Sequence, residues 1–194
     1  MDSLFVLHLI RHAPTVGNQA KQYIGWTDEP VAPFEALAFP EVKNVWGSDL
    51  QRCRQTAEVL FPAAFYHPDA NWRECHFGKW EQKTYAELES MEAYRNWIND
   101  PFRYKPPGGE SLNQVAERVE RAVCALPHEE EFMIVTHGGP IRYLLARAKQ
   151  ESFWKQTVLH GHLYTIVWQN RQAFEEGTRC TSFSEVPLMA NAST

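Results

Sequence analysis

The sequence predicts an α/β fold of three layers, in which a mainly parallel central sheet is flanked by helices on both sides. Two short runs, residues 4–10 and 132–136, are nearly continuous in apolar character, as in central strands that are covered on both faces. Strand-like runs alternate with stretches of helical spacing, and this alternation favours a parallel sheet. Because 194 residues can bury one core, we predict a single domain over residues 1–194.

The elements of the first half follow from short local signals. Residues 42–46 are a strand candidate that ends at Gly47, and residues 50–60 have the spacing of a helix. Ser48 or Asp49 is available as the N-cap of that helix. One or two further helices are predicted over residues 84–91 and 92–99.

The second half begins with the clearest helix signal in the chain. Ser111 and Gln114 resemble a capping box, and they precede an amphipathic stretch over residues 112–126. The remaining predicted elements are the strand over residues 132–136, a helix that follows residues 138–140 and runs to about residue 148, a strand over 163–168, and a pairing partner for it near 178–183.

Composition excludes several classes of protein. The formal net charge of −5 argues against a general nucleic-acid binder, because binding to the phosphate backbone requires a basic excess. No apolar run approaches the ~18 residues of a membrane span. Cysteines are widely spaced and have no metal-finger pattern, so we interpret them as reduced thiols and predict a cytoplasmic protein. Whether the chain forms a homo-oligomer is left open.

Five separated motifs carry the chemical signal. They combine strand ends, arginine, histidine and glycine in a fixed order: residues 9–15 (LIRHAPT) with Asn18, 48–52 (SDLQR) with 55–57 (QTA), 73–74 (RE) with 77–81 (FGKWE), 107–111 (PGGES), and 136–142 (THGGPIR). Ligands collect at the carboxyl ends of strands in open α/β sheets. Since Arg11-His12 and His137 each follow a predicted central strand, they indicate one site for an anionic ligand.

In these motifs and their order, the chain resembles the histidine phosphatase superfamily, which has the phosphoglycerate-mutase-like fold, and it looks most like the alpha-ribazole phosphatase branch. The resemblance implies a phosphomonoester hydrolase that needs no metal and no cofactor. It implies that His12 is the nucleophile that becomes phosphohistidine and that Glu74 is the general acid and base. Arg11 and His137 complete the catalytic set.

The residue types suit phosphoryl transfer on physical grounds as well. The transferred group spreads negative charge over three oxygens, so its site needs fixed cationic and N–H donors. Arg11 and Arg52 can each present a forked guanidinium, while Asn18 and His137 add further donors. Gly138 places a backbone N–H near a helix N-terminus, where anions are favoured. We therefore predict that phosphate binds Arg11, Asn18, Arg52, His137 and Gly138.

Each residue also has a simpler explanation. Arg11 and His12 could be polar residues at a strand end, Arg52 a surface charge, and Glu74 a solvated carboxylate. The five motifs in order favour catalysis over these explanations. His160 and His162 form an HxH pair, but no carboxylate or thiol has a matching spacing, so we predict no metal site and a structural or cleft-lining role.

Two departures and one length argument bear on the substrate, a phosphorylated small molecule. Ala13-Pro14 replaces the Gly-Glu more usual in the family, and residues 31–37 lack its Leu-Thr and glycine turn. The segments between the motifs are shorter than those by which the family's mutases cover their site. Hydrolysis of alpha-ribazole 5′-phosphate is thus the first hypothesis. A broad-specificity phosphatase, a phosphoglycerate mutase and a non-catalytic phosphate-binding domain are the alternatives.

Overall fold

A computed structural model describes residues 3–189 of the chain. A six-stranded sheet forms its centre, and the strands are β1 Phe5–Arg11, β2 Asn44–Gly47, β3 Phe65–Pro68, β4 Glu131–Thr136, β5 His162–Trp168 and β6 Ser182–Pro187. The α-helices are α1 Val16–Gln19, α2 Gln51–Leu60, α3 Tyr85–Leu88, α4 Glu92–Asn99, α5 Leu112–Cys124, α6 Gly138–Lys149 and α7 Arg171–Glu175. Single 3₁₀ turns cover Ala70–Trp72, Gly78–Trp80 and Phe153–Lys155.

The sheet is mainly parallel, as predicted. Its strand order is β3-β2-β4-β1-β5-β6, in which β1 to β4 are mutually parallel where they pair and only β5 runs against its neighbours. Along β1, Leu7 and Leu9 join a large apolar cluster, whereas Ile10 joins a second, smaller one. Since successive side chains of a strand point to opposite faces, the sheet is covered on both sides and the three-layer prediction is confirmed.

Local differences from the predicted elements have simple causes. Helix α2 has Leu50 as its N-cap with no side-chain bond, because the Ser48 hydroxyl instead accepts from the Leu50 N–H. The predicted pairing partner of β5 is present as β6, but it begins at Ser182 and not near residue 178. β3 and α7 were not predicted, because neither has an apolar run or a helical repeat long enough to stand out.

Helix α5 forms as predicted. The Ser111 hydroxyl accepts from the Gln114 N–H at 3.3 Å, and the Gln114 side chain accepts from the Ser111 N–H at 2.9 Å, so the capping box is complete. Its apolar face packs Val115 and Val119 into the larger cluster. In the described part of the chain, none of the helices has the length and apolar character needed to cross a membrane.

Candidate active site

Strand pairing brings the two predicted histidines together. β1 and β4 are parallel neighbours with Arg11 opposite Thr136, so the next residue of each strand is His12 or His137. The His12 N–H donates to the Thr136 carbonyl at 3.0 Å, which continues the ladder by one residue. The two imidazole rings have centroids 5.0 Å apart. The carboxyl edge of the sheet thus holds the two buried rings side by side.

The hydrogen bonds of His12 determine its tautomer. Its Nδ1 lies 2.7 Å from the Ala13 carbonyl, which can only accept, so Nδ1 carries the proton and Nε2 has a free lone pair. Burial lowers the pKa of His12 well below its ordinary value, and the positive charge of Arg52 lowers it further. His12 is therefore neutral at physiological pH, as a nucleophile must be.

Arg52 orients the His137 ring through a hydrogen bond. The Arg52 Nε donates to His137 Nδ1 at 3.3 Å, and His137 Nε2 lies 3.4 Å from the Cys53 sulfur. The remaining hydrogen bonds of the Arg52 guanidinium are to the carbonyls of Gly25 at 2.6 Å, Thr27 at 2.9 Å and Ile24 at 3.5 Å. Direct binding of phosphate by Arg52 remains a prediction, since these contacts show it positioning His137 and the chain at residues 25–27.

Arg11 and Asn18 both line the cleft. One terminal nitrogen of Arg11 donates to the Val158 carbonyl at 2.6 Å, and its buried Nε has no partner among residues 3–189. The Asn18 Oδ1 accepts from the Thr15 N–H at 3.2 Å, which closes the capping box of α1. Because its oxygen is engaged, the Asn18 side chain offers the cleft its NH₂ group. Arg11 and Asn18 thus each present an N–H donor at the cleft.

Glu74 lies at the N-terminus of α6. Both of its carboxylate oxygens lie 3.0 Å from the Gly139 N–H, and one also accepts from the Cys75 N–H at 2.8 Å. A Cβ at residue 139 would come 2.1 Å from that same oxygen, so only glycine permits this approach. Arg11 and Gly138 line the same cleft. The helix N-terminus, a favourable place for an anion, therefore faces both Glu74 and the predicted phosphate donors.

The cleft has a volume of about 320 Å³ and two kinds of wall. Arg11, Glu74 and Gly138 line the end near His12, which itself lies just beneath the surface and is only 3% exposed. The far end is aromatic and is lined by Tyr23, Phe77, Trp97, Phe153 and Trp154. The rings of Trp97 and Trp154 meet edge to face with centroids 5.7 Å apart. One end thus carries charged groups, whereas the other presents aromatic rings, two of which, Phe153 and Trp154, also lie against the Arg142 guanidinium.

His160 contacts His12 directly, whereas its sequence pattern indicates only a structural or cleft-lining role. Its Nδ1 donates to the His12 carbonyl at 3.0 Å, and its ring centroid is 5.1 Å from that of His12. Burial lowers its pKa to about 3. His162 instead contacts Glu185 at 2.9 Å, so the two histidines do not share a ligand. Within residues 3–189 there is no group of three or more potential metal ligands.

Glu81 is a supporting residue to which the sequence assigned no role. Its half-buried carboxylate accepts from the N–H groups of Gly25, Trp26 and Thr27 at 2.9–3.2 Å. Burial alone would raise the pKa of Glu81, but these bonds together lower it. The same segment carries the carbonyls that hold Arg52. Glu81 thus supports His137 indirectly, and its position in the FGKWE motif was the only available signal.

The buried histidines predict how stability depends on pH. His12 and His137 have lowered pKa values in the folded protein, so unfolding allows each to bind a proton once the pH falls below about 6.5. The unfolded state then binds more protons, so the free energy of unfolding falls as the pH falls. With His160, whose pKa is lowered to about 3, three protons correspond to a limiting slope of about 4 kcal/mol per pH unit near pH 5, above the range of most carboxylates. Urea denaturation between pH 7 and 5 measures this slope.

Histidine variants provide the controls for the pH measurement. His137→Gln should remove about a third of the slope, whereas His128→Gln, at an exposed loop position, should leave it unchanged. His160 acts in the same direction, because its pKa is also lowered. A free energy of unfolding that stays constant between pH 6.5 and 5 would show that the histidines are not buried in the neutral form.

The fold and the site together define a class of protein: an α/β enzyme that acts on phosphate esters. The family model of the histidine phosphatase superfamily (branch 1) matches residues 7–177, and the chain belongs to this superfamily. Its members are phosphatases that hydrolyse phosphomonoesters. The predicted family and enzyme class are confirmed.

Individual relatives of this chain have sequence identities of about 30%. The chain is 29% identical over 159 residues to the adenosylcobalamin/alpha-ribazole phosphatase of Salmonella typhimurium, with 73% of this chain and 78% of the relative covered. It is 31% identical to the fructose-2,6-bisphosphatase of Saccharomyces cerevisiae, with 76% of this chain but only 32% of the relative covered. It spans 28% of the 6-phosphofructo-2-kinase/fructose-2,6-bisphosphatase of Aquarana catesbeiana, at 29% identity over 69% of this chain.

Solved structures show the same architecture. YhfR of Bacillus stearothermophilus has a TM-score of 0.71 at 29% identity, with 84% of this chain and 90% of that chain covered. TTHB049 of Thermus thermophilus has a TM-score of 0.69 at 27% identity, with 92% and 98% covered. The overall arrangement of the sheet and its flanking helices is therefore that of the superfamily.

Proposed function

We propose that this phosphatase hydrolyses phosphomonoesters through a covalent phosphohistidine at Nε2 of His12. The observation that carries the proposal is the tautomer of His12, because the bond from Nδ1 to the Ala13 carbonyl leaves Nε2 unprotonated. A buried neutral imidazole beside fixed cations is poised to attack phosphorus. A domain that only bound phosphate would need neither this lone pair nor a carboxylate at the same cleft.

The proposed reaction consists of two successive displacements at phosphorus. In the first, His12 Nε2 bonds to phosphorus as the ester P–O bond breaks, and Glu74 in its protonated form gives its proton to the leaving oxygen. In the second, the Glu74 carboxylate takes a proton from water as the water oxygen bonds to phosphorus and the N–P bond breaks. The products are the alcohol and inorganic phosphate, and His12 returns to its neutral form.

The charge that develops on the phosphoryl oxygens needs donors fixed in advance. The unpartnered Nε of Arg11, the NH₂ of Asn18 and the backbone of Gly138 at the start of α6 belong to residues that line the cleft. His137 lies beside His12 and is oriented by Arg52. As Arg52 uses most of its contacts on the protein, it contributes through the position and field of its charge.

The aromatic end of the cleft favours a planar leaving group. A benzimidazole nucleoside such as alpha-ribazole presents a flat apolar base that can pack against Trp97 and Trp154, while its 5′-phosphate reaches His12. Relatives of similar length are named as alpha-ribazole phosphatases. We therefore propose alpha-ribazole 5′-phosphate as the substrate, and the cytoplasm as the compartment in keeping with four free cysteines.

Turnover of a panel of esters tests the substrate. The purified protein would be assayed with EDTA on alpha-ribazole 5′-phosphate, fructose 2,6-bisphosphate, 3-phosphoglycerate and p-nitrophenyl phosphate. A preference of tenfold or more in kcat/KM for alpha-ribazole 5′-phosphate supports the narrow proposal. Similar values for several esters would indicate a broad-specificity phosphatase instead, and absence of all turnover would favour a phosphate-binding domain.

The Glu74→Gln variant tests the general acid. Glutamine has a similar shape but cannot donate a proton to the leaving oxygen, so poor leaving groups should suffer most. Hydrolysis of the phosphohistidine also uses Glu74 and is common to both esters, so the two are compared in kcat/KM, which reports the first displacement. We expect kcat/KM to fall by about 10²–10⁴-fold for an alkyl phosphate and by much less for p-nitrophenyl phosphate. Rates are compared with those of Glu87→Gln, which alters an exposed carboxylate in α3. Equal losses on the two esters would exclude proton donation by Glu74.

A further inference from the structure

A buried ion pair lies behind Glu74, on the side away from the cleft. Arg118 comes from the middle of α5 and is 5% exposed. Glu110, at the end of the PGGES motif, binds it through both oxygens, with Nε–Oε1 and Nη2–Oε2 distances of 2.9 Å. The reaction proposed above uses neither side chain.

The guanidinium of Arg118 also binds the backbone that carries Glu74. Its Nη2 donates to the Glu74 carbonyl at 2.8 Å, and its Nη1 donates to the carbonyls of Asn71, at 3.0 Å, and Arg73. Residues 73–77 have no helix or strand that would supply such bonds. Arg118 therefore satisfies the carbonyls of this segment as a regular element would.

Glu110 fixes the other side of the same segment. Its Oε2 accepts from the His76 N–H at 2.9 Å, and its own N–H donates to the His76 carbonyl at 2.9 Å. A Cβ at Gly109 would lie 2.2 Å from that carbonyl, so glycine allows the two loops to approach this closely. Together, Arg118 and Glu110 make hydrogen bonds to the backbone of residues 71, 73, 74 and 76.

The energetics do not favour a purely stabilising role. A buried ion pair recovers little more than the cost of removing its charges from water, and well-packed apolar residues often stabilise a core as well or better. Such a pair does impose one geometry, because each of its hydrogen bonds requires a particular placement. The backbone carbonyls and the N–H group to which the pair makes hydrogen bonds all belong to residues 71–76, which surround Glu74 in the chain.

We propose that Glu110 and Arg118 are positioning residues that hold Glu74 for proton transfer to the leaving group. The inference rests on the proposed role of Glu74 as general acid. Weakening the pair leaves His12 and Arg11 untouched but lets the Glu74 carboxyl move away from the leaving oxygen. Because proton transfer depends steeply on distance, the effect should depend on how much the leaving group needs a proton.

The test compares two esters in a set of variants. Arg118→Lys keeps the charge but cannot serve three carbonyls and Glu110 at once, and Glu110→Gln keeps the shape but removes the negative charge. We expect each to lower kcat/KM for an alkyl phosphate by about tenfold more than kcat/KM for p-nitrophenyl phosphate, because kcat/KM reports the step in which the leaving group departs. Arg121→Lys, at an exposed position of the same helix, is the matched control.

A double-variant cycle separates this inference from the proposed function. In a Glu74→Gln background, Arg118→Lys should cause no further preferential loss on the alkyl ester, since the group it positions is gone. If single Glu74→Gln shows no preference for the activated ester, the general-acid proposal fails. If it does, but Arg118→Lys and Glu110→Gln slow both esters equally, the pair is only structural and the inference is wrong. Thermal unfolding identifies any variant that fails to fold, and the other then decides.

Discussion

Replacement of His12 by alanine is expected to abolish turnover. Loss of the nucleophile removes the covalent route altogether, and the remaining donors can only assist direct attack by water, so kcat should fall by at least about 10⁴-fold. The protein should still bind inorganic phosphate, because the Arg11 and Asn18 donors remain. The measurement is turnover of p-nitrophenyl phosphate together with alkaline quenching of ³²P-labelled substrate. Phosphohistidine is stable in alkali and labile in acid, so the quench should trap an acid-labile phosphoenzyme in the wild type and none in the variant.

A histidine on the same strand provides the control. His8 lies four residues earlier in β1, and its ring contacts Thr165 at 2.8 Å and Glu131 at 2.6 Å. His8→Gln should leave kcat within twofold of the wild type and should still form the phosphoenzyme. If His12→Ala retained activity within about tenfold of the wild type, covalent catalysis by His12 would be excluded.

The arrangement of strands and of the two histidines could be predicted from the sequence because it rests on local signals. An apolar run that ends in a polar residue predicts both a central strand and its carboxyl end, and β1 and β4 each show this pattern. The capping box at Ser111 is equally local. Once two such strands lie in one parallel sheet, their ends must meet, and His12 and His137 are brought together.

The contacts behind these side chains could not be predicted, because they join residues that are distant in the chain. Arg118 reaches Glu74 over 44 positions, and Arg52 reaches His137 over 85. No periodicity or motif encodes which carbonyls a guanidinium will meet. The prediction that Arg52 binds phosphate followed from its residue type, whereas the carbonyls that it actually contacts depend on the path of the chain at residues 25–27.

The aromatic residues illustrate the same limit. Tyr23, Trp97 and Trp154 line the cleft, whereas Trp26 lies against His76 with ring centroids 4.7 Å apart. From the sequence alone, each of these four rings is equally compatible with the core and with the wall of a cleft. Their roles separate only when α4 and the 3₁₀ turn at Phe153–Lys155 are placed over the site, because a large ring suits both environments equally.

Removal of Arg11 is expected to have the second largest effect. Its buried Nε lacks a partner within the described residues 3–189. A buried donor without a partner normally costs about 1–3 kcal/mol of stability, and binding of a ligand at this donor would explain why it is retained. Burial lowers the pKa of Arg11 to about 10, so the side chain still carries its charge at neutral pH. A phosphoryl oxygen would satisfy this donor, most strongly in the transition state. Arg11→Ala should therefore lower kcat/KM by about 10²–10³-fold.

The charge and the forked geometry of Arg11 can be tested separately. Arg11→Lys keeps a positive charge but presents a single ammonium, so we expect it to recover only part of the loss, on the order of tenfold. Arg54→Ala, on the exposed side of α2, should leave the rate unchanged. Thermal unfolding confirms that each variant is folded. A near-normal kcat/KM in folded Arg11→Ala would remove this residue from the phosphate site, whereas full rescue by lysine would show that charge alone is required there.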